Sequence, residues 1–453
     1  MSETRKTIMF GVVALILLSA AFLTTPGSVT PDDFTDLGEA FFPDFIDPNV
    51  ATTLEVIEFD EETAAARPFK VTYKEGRWTI PSHYDYPADG KDRLARTAAG
   101  MIGLKKDDYR TSNVSDYETC NVVDPLDEAT TLKGRGKRVT IKDKNDQVLA
   151  DLIFGEKLAE RSDLRFVRVP GQKRVYVAKT DMDISTNFAD WIEPDLLQVE
   201  QAEVTQVTLR DYSINERTRT VDRRGTLVLT KKDDEWSADK MSSGEEVDMT
   251  KMNELLREVD ELKIVGVRTK PEGLSAGLRR TEGDVPITQA NILSLQSKGY
   301  YFTRDGSLLS NEGELEVRGG NGVTYVLRFG EVLFGSGDAV SAGGESEGTE
   351  EDGPGENRYL FITASFDQNL LPEPPKPSNA RFEEKSEDEW TDADRTNKER
   401  KEKHDAWQAS VDEGKTRVEE LNARFADWYY VISSDAFDKI HSSREDLVKK
   451  KVS

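Results

Sequence analysis

The feature that most restricts this chain is that it writes one series of short segments twice, in the same order. "LIFGEKL" (152–158) and "LRFGEVL" (327–333) share a Phe-Gly-Glu triplet inside an apolar run. Upstream, "FKVTYKEGRWTI" (69–80) and "GTLVLTKKDDEWSA" (225–238) each alternate apolar and polar residues, turn, and return on a tryptophan, Trp78 or Trp236. Period-two alternation around a tight polar turn predicts a β-hairpin. A helix is predicted after each hairpin. Leu94, Ala98, Met101 and Ile102 fall at helical spacing within 87–106, as do Met252, Leu255, Leu256 and Val259 within 246–264. Asp89 and Asp248 stand before them as N-cap candidates, because a short carboxylate accepts hydrogen bonds from the first free N–H groups of a helix.

The series continues. "VTIKDKNDQVLADLIFGEKL" (139–158) and "LEVRGGNGVTYVLRFGEVL" (315–333) each read strand, turn, strand, with Asn145-Asp146 and Asn321-Gly322 as turn formers. "LRFVRV" (164–169) matches "NRYLFI" (357–362), "YVAKTDMD" (176–183) matches "YVISSDAFD" (430–438), and "EPDLL" (193–197) matches "REDLV" (444–448). The expected fold is therefore α+β: two tandem repeated modules of antiparallel sheet with packed helices, at 31–200 and 201–450. A chain of 453 residues is long enough to bury such cores. Within each module Phe-Gly-Glu is expected to close a strand, its glycine supplying an unusual backbone angle at the bend. Glu156 and Glu331 read as solvated carboxylates rather than as a catalytic pair. "FADW" also occurs twice, at 188–191 and 425–428, but aligning those copies breaks the Tyr-Val register, so it is read as coincidence.

The second module carries two additions. The stretch 335–356 is rich in Gly and Ser, has six acidic residues from Glu345 to Glu356, and reads as a flexible hairpin loop. Nothing in it fixes the ligand geometry that calcium needs. The stretch 372–424 opens on the extended spacer "PEPPKP" and continues as helix former with charges of mixed sign. Trp407, Val411, Val418, Leu421, Phe425 and Trp428 leave one narrow apolar stripe, which either packs back on its own module or receives a partner helix. The first module has only "PGQKR" (170–174) at that junction, so the insertion reads as a graft into a turn, where added length costs little.

The N-terminus sets the compartment. Arg5 and Lys6 precede a stretch without charge from Ile8 through Pro31, and Asp32 and Asp33 follow it. Residues 1–30 are expected to form a cytoplasmic tip and one transmembrane helix, placing the bulk of the chain outside the cytoplasm, in the periplasm. A cleavable signal peptide, cut near Ser19-Ala20-Ala21, is the rival reading; the apolar run is long for one. The net charge of −25 repels phosphate backbones, so no nucleic-acid partner is expected. One cysteine, Cys120, and three histidines, His83, His404 and His441, support neither a disulfide nor a Cys/His zinc cluster.

Other motifs fall away on inspection. "DEGKT" (412–416) has Ala409 where a phosphate loop needs glycine, and its context is helical. "SADK" (237–240) has the Ser-x-x-Lys spacing without its companion motifs. "DKNDQV" (143–148) begins like a calcium loop but has Val148 and Phe154 at its sixth and twelfth positions, so a hairpin turn explains it. His83, beside Asp85 and Asp89, reads as a surface residue. Trp78 and Trp236 read as core aromatics, with a carbohydrate floor as the alternative.

In order, "GRW" or "DEW", "PAD" or "EVD", "FGE", "YVA" or "YVI", and "DLL" or "DLV" resemble a bacterial family, domain of unknown function 4340. The resemblance spans most of residues 50–450. It implies a single-span envelope protein, encoded near ABC-type export permeases and a gliding-motility-like auxiliary protein. It brings no catalytic residue, cofactor or metal site. The expected function is a non-enzymatic extracytoplasmic accessory or scaffold subunit of a membrane complex with an ABC-type permease. The alternatives are an envelope polysaccharide-binding module using exposed aromatics and, third, a hydrolase.

Overall fold

The computed structural model describes Ala14 and residues 36–61, 64–128, 131–182, 184–215, 217–218, 220–279, 288–303, 306–335, 340–342 and 356–451. All of the expected anchor at 1–30 except Ala14, and most of the loop 335–356, lie outside the described residues. Among the described residues no helix is long and apolar enough to cross a membrane. The chain divides into two compact units. One takes residues up to Trp78 together with Gly90–Thr186; the other takes Thr79–Asp89 together with Asn187–Ser453.

The first sheet is built from β1 (Ala51–Asp60), β2 (Ala65–Lys74), β3 (Arg77–Ile80), β4 (Tyr86–Pro87), β5 (Asp108–Thr111), β6 (Lys137–Asp143), β7 (Val148–Leu158), β8 (Arg161–Arg168) and β9 (Val175–Lys179). Its order is β4-β3-β2-β1-β6-β7-β8-β9-β5. Helix α1 (Lys91–Ile102) packs on β1 through buried Leu94, Ala98 and Met101. The segment 112–136 carries Tyr117, Cys120, Val122 and Val123 into a separate apolar cluster with Ile153 and Val175.

The second unit opens with β10 (Val204–Asn215), β11 (Thr220–Lys232), β12 (Glu235–Ala238), β13 (Glu245–Val247), α2 (Met249–Asp260) and β14 (Gly266–Thr269). Then come α3 (Glu272–Leu278), α4 (Gln289–Gln296), β15 (Tyr300–Phe302), β16 (Leu308–Ser310), β17 (Glu314–Gly319), β18 (Val323–Phe334) and β19 (Glu356–Phe366). It closes with α5 (Asp392–Phe425), β20 (Trp428–Ser433), α6 (Ser434–Ile440), α7 (Arg444–Leu447) and β21 (Val448–Lys450). The large sheet runs β12-β11-β10-β17-β18-β19-β20-β14; β13 pairs β21 and β15 pairs β16.

Leaving β4 aside, the two large sheets have the same strand order, each strand of one answering the strand of the other at the same point of the series. The registers agree as well. Phe154 sits opposite Val167, and Val167 opposite Tyr176; in the second unit Phe329 sits opposite Leu360, and Leu360 opposite Tyr430. Strands β9 and β20 are apolar almost without interruption because both their faces are buried.

Both hairpin–helix predictions hold, with one change at a cap. Asp248 caps α2, accepting from Thr250 N–H at 3.0 Å and Lys251 N–H at 3.4 Å. Asp89 does not cap α1: the N-cap is Gly90, and Asp89 N–H is drawn to Trp191 O at 2.8 Å. The grafted segment also begins differently from expectation. Prolines 372, 374, 375 and 377 withhold backbone donors, so residues 372–390 form extended chain and short turns. The helix starts only where Thr391 and Asp394 form a capping box. Its apolar stripe packs back onto its own sheet: Val411, Val418, Leu421 and Phe425 are buried against β18 and β19. Asn422 fastens it there, accepting from Ala364 N–H at 3.0 Å and donating to Ala364 O at 2.9 Å. The two FADW copies share no conformation, one being a short 3-10 turn and the other a helix end.

Candidate functional site

The Phe-Gly-Glu triplets are interior to β7 and β18 rather than at their ends, and each sits on a β-bulge. The register slips between Phe154 and Lys157 in one unit and between Phe329 and Val332 in the other. Neither Gly155 nor Gly330 has a positive φ, which corrects the expected unusual backbone angle. What each glycine permits is a crossing. A side chain on Gly155 would overlap Cys120 O and Val122; one on Gly330 would overlap Lys298 O and the Tyr300 ring. The same three bonds then surround the triplet in each unit. Glu156 N–H donates to Cys120 O at 3.3 Å, and Glu331 N–H to Lys298 O at 2.9 Å. Asn121 and Asn311 donate their side-chain amides to the carboxylates of Glu156 (3.2 Å) and Glu331 (2.7 Å). Arg165 and Arg358 donate to the carbonyls of Gly155 (3.3 Å) and Gly330 (2.8 Å). The repeated triplet is a clamp, and its two glutamates have structural partners.

His83 is 2 % exposed, against the surface position expected for it. Its ring stacks on Phe188 at 4.6 Å; Nδ1 meets Ser82 Oγ and Nε2 meets Ser341 Oγ, both at 3.0 Å. Burial, helped by the Arg268 charge, pushes its pKa down to about 4, so the neutral ring is the resident form. The hydroxyl–imidazole pair has the elements of a nucleophile and base. Ser341 is itself buried, however, and its segment is pinned. Arg268 donates to Val340 O (2.9 Å) and Ser341 O (3.3 Å), and Tyr84 to Ala342 O (2.6 Å). The cluster anchors the start of the acidic loop. A partner 258 positions away leaves no local signal in the sequence.

The remaining motifs resolve as architecture. Asp143 accepts from Asn145 N–H (2.8 Å) and Gln147 N–H (2.9 Å), closing the β6–β7 turn. Ser237 lies on β12 bonded to Thr230 O (3.3 Å). Gly414 is in mid-helix, against the Phe366 ring. His404 lies 3.3 Å from Glu373 on the flank of α5. Cys120 is buried, and burial raises its thiol pKa, which suits packing rather than reactivity. No three metal-ligating side chains gather among the described residues.

Three features were not read from the sequence. Lys270 is 6 % exposed, its ammonium 4.0 Å from the centre of the Phe361 ring and 3.0 Å from Phe425 O. Burial pushes its pKa down to about 7, opposed only by the Asp427 charge. The other two are clefts. In the second unit a cleft of about 630 Å³ is lined by half-buried Trp236, Met249, Asn253, Asp260, Glu200 and Lys231. Trp78, the matching tryptophan, instead lies against Tyr73, ring centres 5.2 Å apart. Lys231, two residues before the β11–β12 turn, stands where the first unit has Tyr73. In the first unit a cleft of about 540 Å³ has Arg168 in its lining. An internal comparison would have found Arg168, because the matching position of "NRYLFI" is Phe361.

Residues 78–279 match a family model described as Domain of unknown function (DUF4340). No curated protein and no solved structure matches the chain.

Proposed function

We propose that this chain, which over residues 78–279 belongs to the domain of unknown function 4340 family, is a non-enzymatic accessory subunit of an envelope membrane complex. It is held by one N-terminal helix, with its two sheets outside the cytoplasm, and associates with an ABC-type permease. The two modules are a duplicated scaffold. The observation that carries this reading is α5: a 34-residue helix inserted where the first unit has a five-residue turn. Its C-terminal half is fixed to the sheet, while Arg395, Glu399, Arg400, Glu402, Lys403 and Asp405 of its N-terminal half are exposed. A rigid, charged rod on a scaffold suits a subunit contact, where charge complementarity sets partner choice.

The test is purification of full-length protein from membranes in mild detergent, with mass spectrometry of what accompanies it. A permease and its ATPase are expected, and the triple variant Arg395→Glu, Arg400→Glu, Lys403→Glu should lose them while folding normally. Deletion of the whole helix is unsuitable, since it would strip the cover from β18 and β19. Recovery of the protein alone overturns the reading.

A second reading, binding of envelope polysaccharide, is favoured by the Trp236 cleft. An accessible indole beside Asn253, Asp260 and Glu200 offers a stacking face and hydrogen-bonding groups for a sugar ring. Trp236→Ala would abolish glycan retention if this cleft is the site.

A further inference from the structure

The Trp236 cleft is polar at positions where the first unit carries apolar side chains. The two units align there residue for residue. Helices α1 and α2 are both 12 residues long and their buried positions coincide, Leu94 with Met252 and Met101 with Val259. Asn253 and Asp260 of α2 therefore stand where α1 has Ala95 and Ile102. The hairpin registers agree too, since Thr53 pairs Thr72 in one unit and Gln206 pairs Thr230 in the other. The next residue is Tyr73, whose ring lies 5.2 Å from that of Trp78, in the first unit; in the second it is Lys231.

Glu200 completes the comparison. Strands β1 and β10 each follow a three-residue 3-10 turn, and the residue before that turn is Asp47 in one unit and Glu200 in the other. Asp47 spends its carboxylate on the turn, accepting from the N–H and the side-chain amide of Asn49, both at 2.9 Å. Glu200 caps nothing, and its side chain has no ion-pair partner among the described residues. One scaffold is thus completed by Tyr73, Ala95 and Ile102 in the first unit and by Lys231, Asn253 and Asp260 in the second. The fold does not require the polar set.

The walls define what the cleft would take. Trp236 is half-buried and presents an indole. Lys231 is engaged by Asp234 at 3.2 Å. Asp260 accepts from Gln201 N–H at 3.3 Å, a neutral donor that leaves its charge in place. Glu200 and Asp260 therefore line the cleft without a cation of their own. An indole face receives the C–H face of a sugar ring or a cation. Two such carboxylates repel an acidic sugar and bind an ammonium through charged hydrogen bonds.

We propose that the Trp236 cleft binds an amine-bearing saccharide, a glycan with free amino sugars. One ring lies on the indole, and its ammonium meets Glu200 and Asp260. The assignment rests on the polysaccharide reading of this cleft and names the sugar class it selects.

The test is calorimetric titration of the full-length chain in detergent, in mildly acid buffer where sugar amines hold their protons. The ligands are three trisaccharides of the same linkage: the glucosamine trimer, its fully N-acetylated form and cellotriose. Spermidine, a cation without a sugar ring, is the fourth. The glucosamine trimer binds at least about tenfold more tightly than each of the others, the scale of one charged hydrogen-bonding pair. Trp236→Ala abolishes this binding. Glu200→Gln weakens it about tenfold at unchanged melting temperature, and keeps the test informative if the tryptophan variant misfolds. Equal affinity for the acetylated trimer or cellotriose, or indifference to Glu200→Gln, overturns the amine assignment and leaves the polysaccharide reading standing. Spermidine binding as tightly as the glucosamine trimer, or binding that survives Trp236→Ala, overturns the sugar site. Failure of all three trimers to bind overturns the assignment together with the polysaccharide reading.

Discussion

Asn311 donates its side-chain amide to the carboxylate of Glu331 at 2.7 Å, and 20 residues of chain separate the two. The same bond, from Asn121 to Glu156 at 3.2 Å, spans 35 residues in the first unit. In the first unit Asn121 lies in the segment that crosses Gly155; in the second the segment 298–300 crosses Gly330, and Asn311 joins that segment by donating its N–H to Gly299 O at 2.9 Å. The repeated polar pair therefore secures a crossing of backbone over sheet, twice, in segments whose sequences otherwise differ.

Gly330→Ala is expected to destabilise the second unit by about 2–4 kcal/mol, because the neighbours of a new Cβ are a backbone carbonyl and the buried Tyr300 ring. Gly225→Ala is the control. No heavy atom lies within 4 Å of its added carbon, so a change under about 0.5 kcal/mol is expected there. Denaturant melts of the two variants check this. Equal stability would mean that the crossing yields freely.

Lys270 gives the second unit a stability that rises with alkali. Its folded pKa is about 7 against an ordinary lysine value of 10.5, so between those values the unfolded chain holds a proton that the folded one has released. Stability therefore climbs from pH 7 to 10.5 and the penalty is complete below pH 7. Its full size is about 5 kcal/mol. Lys270→Met should raise the melting temperature at pH 6 and flatten that slope. A melting temperature that falls at pH 6 would show that the ammonium's contact with Phe361 outweighs its burial.

His83 acts at the other end of the scale. With a folded pKa of about 4 and an ordinary histidine value of 6.5, it contributes stability that is fully present above pH 6.5 and disappears as pH falls through 4. The loss is about 3 kcal/mol. Because His83 bonds Ser341, the segment 340–342 should loosen with it. Hydrogen exchange of Ser341 and Ala342 amides, compared at pH 7 and pH 4.5 after correction for intrinsic rate, should show falling protection in wild type and no pH trend in His83→Gln.

The repeat was legible because strand order and hairpin chemistry are written locally: alternation, turn residues and helical spacing all survive in both copies. The function of Phe-Gly-Glu was legible as architecture but misassigned in kind, since a glycine needed for close approach looks the same in sequence as one needed for its φ. His83 shows the opposite limit. Its neighbours in sequence, Tyr84 and Asp85, suggest a polar surface turn, whereas its bonded partner at Ser341 and its stacking partner Phe188 come from distant segments. Arg168 lay in plain view of the aligned modules, where a charged residue matched an aromatic one at a strand position that elsewhere agreed. The direction in which the stripe of α5 faces is not written in the sequence. An apolar stripe of that width serves a sheet or a partner helix equally well, and only the fixed position of β18 and β19 decides.

Gly414 lets that decision be tested within α5. In an isolated helix, Gly→Ala gains about 1 kcal/mol from reduced backbone freedom. Here a Cβ would overlap the Phe366 ring and come 3.0 Å from Asn321 O. The ring end can swing aside, since Phe366 is only half-buried, but the carbonyl belongs to the β17–β18 turn and cannot. The steric term should therefore exceed the propensity gain, leaving Gly414→Ala about 1–2 kcal/mol less stable. Ala409→Gly, at an exposed position one turn earlier, should cost about 1 kcal/mol on propensity alone. Opposite substitutions on one helix would then both destabilise it, a pattern expected only if α5 is seated on its own sheet. A stabilised Gly414→Ala variant would mean that this part of the helix stands clear of the sheet in solution.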